Sequence, residues 1–128
     1  MKHVLMVVAM LLISAGARAA ESPPSFFKDV LPILQENCQE CHRPAGANFG
    51  GMVAPMSLVT YEEVRPWAKA IVTQIAAREM PPWDADESFH GTFSNERSLT
   101  DEEIALITAW AEGGARRGNP TDAPEPVE

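Results

Sequence analysis

The residues best suited to chemistry in this chain are two cysteines and a histidine that share one short run. The run is Cys38-Gln39-Glu40-Cys41-His42, which has the C-x-x-C-H spacing of covalent haem attachment. Residues three apart lie on one side of a helical turn, so both thiols can reach the vinyl groups of one porphyrin. His42 would then ligate the iron from beneath the ring. Cys38 and Cys41 are the only cysteines in the chain, so neither has another thiol to pair with.

Three other roles are compatible with the spacing of this motif. A thioredoxin-type redox pair is expected after a strand, but the apolar residues before the motif fall at positions 27, 30, 31 and 34, which is helical spacing. A structural zinc site needs four ligands, and beyond the motif the chain offers only His90 and the amino-terminal His3. A disulfide across two residues would close a small ring and add little stability. We therefore favour haem attachment.

The amino-terminal segment has the pattern of a secretory signal peptide. A short positive start at residues 1–3 precedes an apolar run at residues 4–13 and a stretch rich in small residues at 14–20. Ala17-Arg18-Ala19 fits the A-x-A cleavage pattern, so we expect cleavage after Ala19. The apolar run is too short to span a bilayer. Haem is attached to C-x-x-C-H outside the bacterial cytoplasm, so the predicted localisation is periplasmic.

The charge of the remaining chain limits its partners. Cleavage would remove two basic residues, Lys2 and Arg18, and no acidic ones, which takes the net charge from −8 to −10. Such a charge excludes a nucleic-acid-binding protein and disfavours attachment to anionic lipids. We expect a signal peptide at 1–19, one small domain at 20–118 and a flexible, acidic, proline-rich tail at 119–128. A domain of this size buries a modest core, which a covalent haem would enlarge.

The patterns outside the motif predict an all-α fold with no strands. A first helix is expected from about Val30 into the haem motif, with Asp29 as its N-cap. A glycine- and proline-rich loop follows at residues 44–57. Thr60 and Glu63 have the spacing of a capping box and start the next helical segment.

Two further helix boundaries can be predicted. Pro66 is expected to open a longer helix that reaches about Arg78. The last helix is expected to begin at a capping box formed by Thr100 and Glu103 and to end at Gly113-Gly114. No stretch after the signal peptide is long and apolar enough to cross a membrane.

The sixth coordination position of a haem iron held by one histidine decides between electron transfer and ligand binding. Met80 is the predicted occupant, because it follows a helix and begins Met80-Pro81-Pro82-Trp83, whose two prolines would stiffen the loop that holds the thioether. Met80 could instead fill the core at a helix end. The other candidates for this position are Met52, Met56 and His90.

Together these motifs make the chain resemble the single-haem cytochromes c of bacterial periplasms. The resemblance covers about residues 26–118 and rests on F-x-K-D-V-x-P-I-L before C-x-x-C-H, then P-M-S-L-x-T-Y-E-E-V-R-P-W, R-E-M-P-P-W and L-T-D-E-E-I. It implies a small cytochrome c-like fold of three to five helices around one covalent haem c. It also implies thioethers at Cys38 and Cys41, with His42 as the proximal and Met80 as the distal iron ligand.

The predicted function is therefore single-electron transfer between redox partners in the periplasm, without enzymatic activity. One alternative is a haem subunit or docking module of a larger oxidoreductase. Another is a ligand-binding or peroxidatic haem protein, which would need an open sixth position.

Charged and aromatic residues suggest how partner and cofactor would be held. Clusters of acidic side chains predict a redox partner with a basic docking surface; they are Glu62-Glu63, Asp84-Asp86-Glu87 and Asp101-Glu102-Glu103. The arginines that could pair with a haem propionate are Arg43, Arg78 and Arg97. The aromatic residues expected to keep water from the ring are Phe26, Phe27, Trp67, Trp83 and Trp110.

Overall fold

The fold is known from a computed structural model that describes residues 22–44, 54–83 and 85–127. Within these ranges the chain is helical and forms no strand, which confirms the predicted all-α class. The predicted signal peptide, Met52 and Asp84 lie outside the described residues. None of the described helices is long and apolar enough to cross a membrane.

The first helical segment consists of a π-helical turn, Phe26–Val30, that continues into α1, Leu31–Asn37. It starts earlier than predicted, and the assignment of Asp29 as N-cap is wrong. Ser25 holds that position, and the Asp29 carboxylate instead accepts hydrogen bonds from the Ser25 backbone N–H at 2.7 Å and hydroxyl at 3.1 Å. Phe26 is fully buried, and its burial draws this extra turn into the helix.

The second helical segment runs without a break through α2, Tyr61–Val64, a 3₁₀ turn, Arg65–Trp67, and α3, Ala68–Ala76. The predicted capping box at its start is confirmed, since the Glu63 N–H donates to the Thr60 hydroxyl and the Thr60 N–H donates to the Glu63 carboxylate. Pro66 has no N–H to donate to a helical bond, and the tighter 3₁₀ turn falls at this residue.

The third helical segment is α4, Asp101–Glu112. Its predicted capping box, Thr100 with Glu103, is confirmed, and so is its end at Gly113-Gly114. Gly114 has a φ of +92°, which side chains disfavour, and the Ala115 N–H then donates to the Trp110 carbonyl at 2.9 Å.

Phe26 joins the three segments into one core. Its ring centroid lies 5.4 Å from that of Tyr61 and 6.1 Å from that of Trp110. Trp67, one of the aromatic residues expected to keep water from the haem ring, is 44% exposed in the chain without haem. The buried apolar residues are Phe26, Val30, Leu31, Ile33, Leu34, Leu58, Val64, Ala68, Ile75, Leu99, Ile107, Trp110 and Ala115.

The carboxyl-terminal residues return to the first helical segment. The Phe26 N–H donates to the Arg116 carbonyl at 2.8 Å, and the Gln35 side chain donates to the Glu125 carbonyl at 3.0 Å. A short 3₁₀ turn, Pro120–Asp122, lies between these contacts. The predicted flexibility of the tail stays a prediction.

Candidate functional site

The C-x-x-C-H motif forms the turn that follows α1. The Cys38 N–H donates to the Leu34 carbonyl at 2.9 Å, and the Cys38 carbonyl accepts from the N–H groups of Cys41 at 3.2 Å and His42 at 2.9 Å. These bonds coil the motif tightly, which keeps its two cysteines and its histidine on one compact turn.

Both cysteines carry free thiols. Cys38 is partly buried and packs against the core. Burial, together with the smaller effects of negative charge at Glu103 and Cys41, raises the pKa of its thiol to about 12. The Cys38 thiol is therefore neutral at physiological pH and lies in the apolar surroundings that a porphyrin edge requires.

The imidazole ring of His42 is oriented by a hydrogen bond to a backbone carbonyl. The Nδ1 atom of His42 lies 3.1 Å from the Met56 carbonyl oxygen. A carbonyl can only accept, so Nδ1 carries the proton and Nε2 keeps the lone pair with which imidazole binds a metal. Orientation by a backbone carbonyl is the usual arrangement for a histidine that ligates a metal.

The segment around Met56 is in turn fixed to the motif. The Leu58 N–H donates to the His42 carbonyl at 2.9 Å, and the Leu58 carbonyl accepts from the Gln39 side chain, also at 2.9 Å. Gln39 is the one buried polar residue among those described, and its hydrogen bond holds residues 56–58 against the turn. Residues 56–58, on the far side of a long loop, therefore help to hold His42 in place. No spacing in the sequence indicates this contact.

Met80 lies in the turn after α3, where its N–H donates to the Gln74 carbonyl at 3.4 Å. Met80 is 39% exposed and lines a cavity whose walls carry both polar and apolar side chains. The residues around this cavity are Ile75, Arg78, Met80, Pro81, Trp83, Ala85, His90, Ser98, Leu99 and Ile104. Leu99 and Ile104, which flank the capping box at the start of α4, thus belong to the wall beside Met80.

The structure does not bring Met80 and the C-x-x-C-H motif into one cavity, since the described motif residues do not line it. The two parts are connected through the first turn of α4. Ile104 lines the Met80 cavity, and the preceding Glu103 acts electrostatically on the Cys38 thiol. A second connection is an ion pair between Glu40, inside the motif, and Arg97, in the segment that follows Met80.

The remaining candidates for the sixth position lie in different places. The Met56 carbonyl contacts the Nδ1 side of His42, and the Met56 side chain packs against the core. His90 lines the same cavity as Met80, and its Nδ1 lies 3.5 Å from the Glu96 carboxylate. Met52 lies outside the described residues.

The three arginines named as candidates to pair with a propionate already have partners in the protein. Arg78 donates to the Leu99 carbonyl at 2.9 Å and to the Asp101 carboxylate at 2.6 Å, which joins the end of α3 to the start of α4. Arg97 pairs with Glu40. Arg43 donates to the Val127 carbonyl at 3.5 Å.

The residues fit a covalently attached haem better than the alternatives raised by the motif. A pair of free thiols followed by a histidine with an unprotonated Nε2 supplies both vinyl partners and one axial ligand. Within residues 22–44, 54–83 and 85–127, no cluster of three or more His, Cys, Asp or Glu side chains is placed to hold a metal ion as zinc would require.

Comparison with known proteins agrees with this fit. The family model for cytochrome c matches residues 32–112, which is more than half of the chain and includes the C-x-x-C-H motif, Met80 and all of α4. No curated protein and no solved structure was found to match the chain. The chain therefore belongs to the cytochrome c family, whose cofactor is a covalently attached haem c with its iron.

Proposed function

We propose that this protein is a periplasmic electron carrier that holds one haem c through Cys38, Cys41 and His42, with Met80 as the sixth ligand. Family membership supports haem-based electron transfer. The observation that carries the site assignment is the hydrogen bond between His42 Nδ1 and the Met56 carbonyl, because it leaves Nε2 available to iron.

The haem, when bound, supplies a one-electron ferric–ferrous couple. A reduced partner would lose one electron and an oxidised partner would gain it, with no bond or proton transferred by the chain. The task of the protein residues is then to hold two axial ligands in fixed positions and to exclude water. Buried Leu99 and partly buried Ile104 supply the apolar wall that this requires beside Met80.

Met80 is favoured over Met56 by the position of Met56. The Met56 backbone lies on the Nδ1 side of His42, which faces away from the iron that Nε2 would bind. A sixth ligand must approach from the opposite face of the haem. Met80 belongs to a different part of the chain, and the cavity that it lines includes the apolar side chains of Ile75, Leu99 and Ile104.

The proposed partner is a redox protein with a basic docking surface. Among the described acidic side chains near Met80, Asp86 is exposed, and hydrogen bonds from the Ser88 hydroxyl and N–H lower its pKa. It therefore stays ionised at any physiological pH. Two other acidic residues, Glu62 and Asp101, form ion pairs with arginines of the same chain, so their charges are partly compensated.

Expression in a bacterium that matures c-type cytochromes tests the proposal as a whole. The protein should appear in the periplasmic fraction with Ala20 at its amino terminus, and its haem should remain on the denatured polypeptide and stain for peroxidase activity on a gel. Haem that acidified organic solvent extracts from the polypeptide would contradict covalent attachment. As a matched control, replacing Cys38 and Cys41 with Ala should leave little holoprotein in the same fraction.

The two alternative functions give different results with the purified holoprotein. An electron carrier with a sixth ligand should be reduced and reoxidised by small redox proteins and should not bind carbon monoxide readily. A ligand-binding or peroxidatic protein would bind carbon monoxide or turn over peroxide. A permanent subunit would copurify with a larger oxidoreductase in stoichiometric amounts.

A further inference from the structure

An ion pair joins the haem motif to the segment that follows Met80. Glu40 lies between the two cysteines of the motif, and its carboxylate pairs with the guanidinium of Arg97. The side chain of Arg97 is 27% exposed and that of Glu40 is 45% exposed, so the pair is partly shielded from water. Salt screens such a pair less than it screens two fully exposed charges. The contact therefore links two parts of the chain that are far apart in the sequence.

Arg97 belongs to a short segment that forms part of the wall of the Met80 cavity. The next two residues, Ser98 and Leu99, line that cavity, and Leu99 is buried. The Leu99 carbonyl accepts a hydrogen bond from the Arg78 guanidinium at 2.9 Å, and Arg78 precedes Met80 by two residues. This segment is thus attached to the haem motif on one side and to the turn that carries Met80 on the other.

The backbone is ordered at both ends of the ion pair. On the side of Arg97, the Glu96 carboxylate accepts hydrogen bonds from the Gly91 N–H at 2.7 Å and from the Ser98 hydroxyl. On the side of Glu40, the motif turn is closed by the hydrogen bonds that the Cys38 carbonyl accepts. Both charges therefore extend from fixed backbone, and only side-chain freedom is lost when the pair forms.

We propose that Glu40 and Arg97 form a latch that holds the Met80 turn to the haem motif, which makes both of them positioning residues for the sixth ligand. The latch acts on the equilibrium between a closed form, in which Met80 ligates the iron, and an open form, in which the Met80 turn has moved away. An ion pair that exists only in the closed form favours that form. This inference rests on the proposed function, because it takes His42 and Met80 as the two axial ligands.

Loss of the latch should raise the population of the open form. An ion pair of this exposure changes an equilibrium constant by up to about fivefold. An external ligand for the iron binds only the open form, so its apparent affinity should rise by the same factor. The reduction in size of a core side chain would not have this signature, because the effect is expected from charge alone.

The test measures the affinity of imidazole for the ferric holoprotein with Glu40→Gln, which removes the charge and keeps the size of the side chain. Imidazole replaces methionine on the iron, so bleaching of the weak far-red methionine–iron band reports its binding. The affinity should rise by about threefold to fivefold. Arg97→Gln should also raise it, and this variant covers the case in which a change inside the motif impairs haem attachment.

Glu62→Gln is the matched control, because it removes the same charge from a different ion pair. Glu62 lies 3.6 Å from the Arg117 guanidinium, and neither residue lines the Met80 cavity. Its loss should leave the imidazole affinity unchanged.

Two combined variants test whether Glu40 and Arg97 act as a pair. Glu40→Gln together with Arg97→Gln should raise the imidazole affinity by clearly less than the product of the two single effects, because the second change removes a partner from a pair that is already lost. The reversed pair, Glu40→Arg with Arg97→Glu, should restore most of the low affinity of the wild type.

The methionine–iron band separates this inference from the proposed function. If the wild type has the band but its imidazole affinity is the same as in Glu40→Gln and Arg97→Gln, the latch is wrong and Met80 ligation stands. The same conclusion follows if the two single effects multiply fully in the double variant. If the wild type lacks the band, Met80 is not the sixth ligand, and the inference fails together with that assignment.

Discussion

His42 Nδ1 lies 3.1 Å from the carbonyl oxygen of Met56, and this contact joins the haem motif to a segment fourteen residues further along the chain. The bond fixes the ring orientation that a metal ligand needs. Its geometry depends on residues 56–58, which the buried side chain of Gln39 holds in place through the Leu58 carbonyl. Gln39, inside the C-x-x-C-H motif, therefore helps to fix the orientation of His42, the histidine of the same motif, through residues 56–58.

Gln39→Ala should destabilise the protein, because it leaves the buried Leu58 carbonyl without its donor. The expected loss is about 1–3 kcal/mol in the free energy of unfolding, measured by urea denaturation of the holoprotein. Gln35→Ala is the matched control, since the Gln35 side chain donates to a carbonyl in an exposed bond, and surface changes usually stay within about 0.5 kcal/mol. Equal losses in the two variants would contradict the supporting role of Gln39.

Met80→Ala should open the sixth coordination position. The weak far-red methionine–iron band should disappear, carbon monoxide should bind the ferrous protein, and the reduction potential should fall, because a thioether favours ferrous iron and its loss admits water. Absorption spectra with and without carbon monoxide measure the first two effects. Met56→Leu, which keeps the backbone carbonyl that contacts His42, should retain the band. The assignment would fail if Met80→Ala kept the band and His90→Ala changed the axial spectrum.

Features that depend on neighbouring residues in the sequence could be predicted. Both capping boxes, Thr60 with Glu63 and Thr100 with Glu103, have the predicted partners, because such a box is complete within four residues. The end of α4 at Gly113-Gly114 is local in the same sense.

Features that depend on distant contacts could not be predicted. Asp29 was expected to cap the first helix, but burial of Phe26 against Tyr61 and Trp110 moves the N-cap to Ser25. The 3₁₀ turn Arg65–Trp67 between α2 and α3 was likewise not predicted.

The candidate site shows the same division. Cys38, Cys41 and His42 could be predicted from their spacing, whereas the contacts that hold them in place involve residues elsewhere in the chain. No sequence pattern indicates that the Met56 carbonyl accepts a hydrogen bond from His42 Nδ1, or that Arg97 pairs with Glu40. The sequence also does not indicate that the Nε1 atom of Trp83 is buried without a hydrogen-bond partner among the described residues.

Glu63 should make stability depend on pH. Hydrogen bonds from the Thr60 N–H and hydroxyl are the main reason that the pKa of Glu63 is lower than its ordinary value of 4.5. A lowered pKa in the folded state means that the contribution is present above 4.5 and is lost as the pH falls through the folded-state pKa. Glu63→Gln should therefore reduce stability at neutral pH, and its difference from the wild type should shrink in acid. Thermal unfolding at several pH values measures this, and a difference that grows on acidification would contradict the capping role.

The rate of electron exchange with a basic redox protein should fall steeply as salt is added. The net charge of −8, or −10 after the predicted cleavage, should steer a positive partner. Steering of this kind raises association rates by ~10 to ~1000-fold and is screened over roughly 8 Å at physiological salt. Stopped-flow measurements across a salt series should also show faster exchange with the basic protein than with an acidic one of similar potential.

The acidic residues that follow Met80 should carry much of this dependence. Neutralising Asp84, Asp86 and Glu87 together should flatten the salt dependence, because these positions begin within four residues of the proposed ligand. Neutralising the acidic residues 101–103 removes the same number of charges and serves as the control. That change should mainly reduce stability, because it removes the Glu103 half of a capping box and the Asp101 partner of Arg78, and takes negative charge from the positive end of the α4 dipole. A rate that is indifferent to salt, or equally affected by both triple variants, would mean that the acidic charge serves solubility and that the docking surface lies elsewhere.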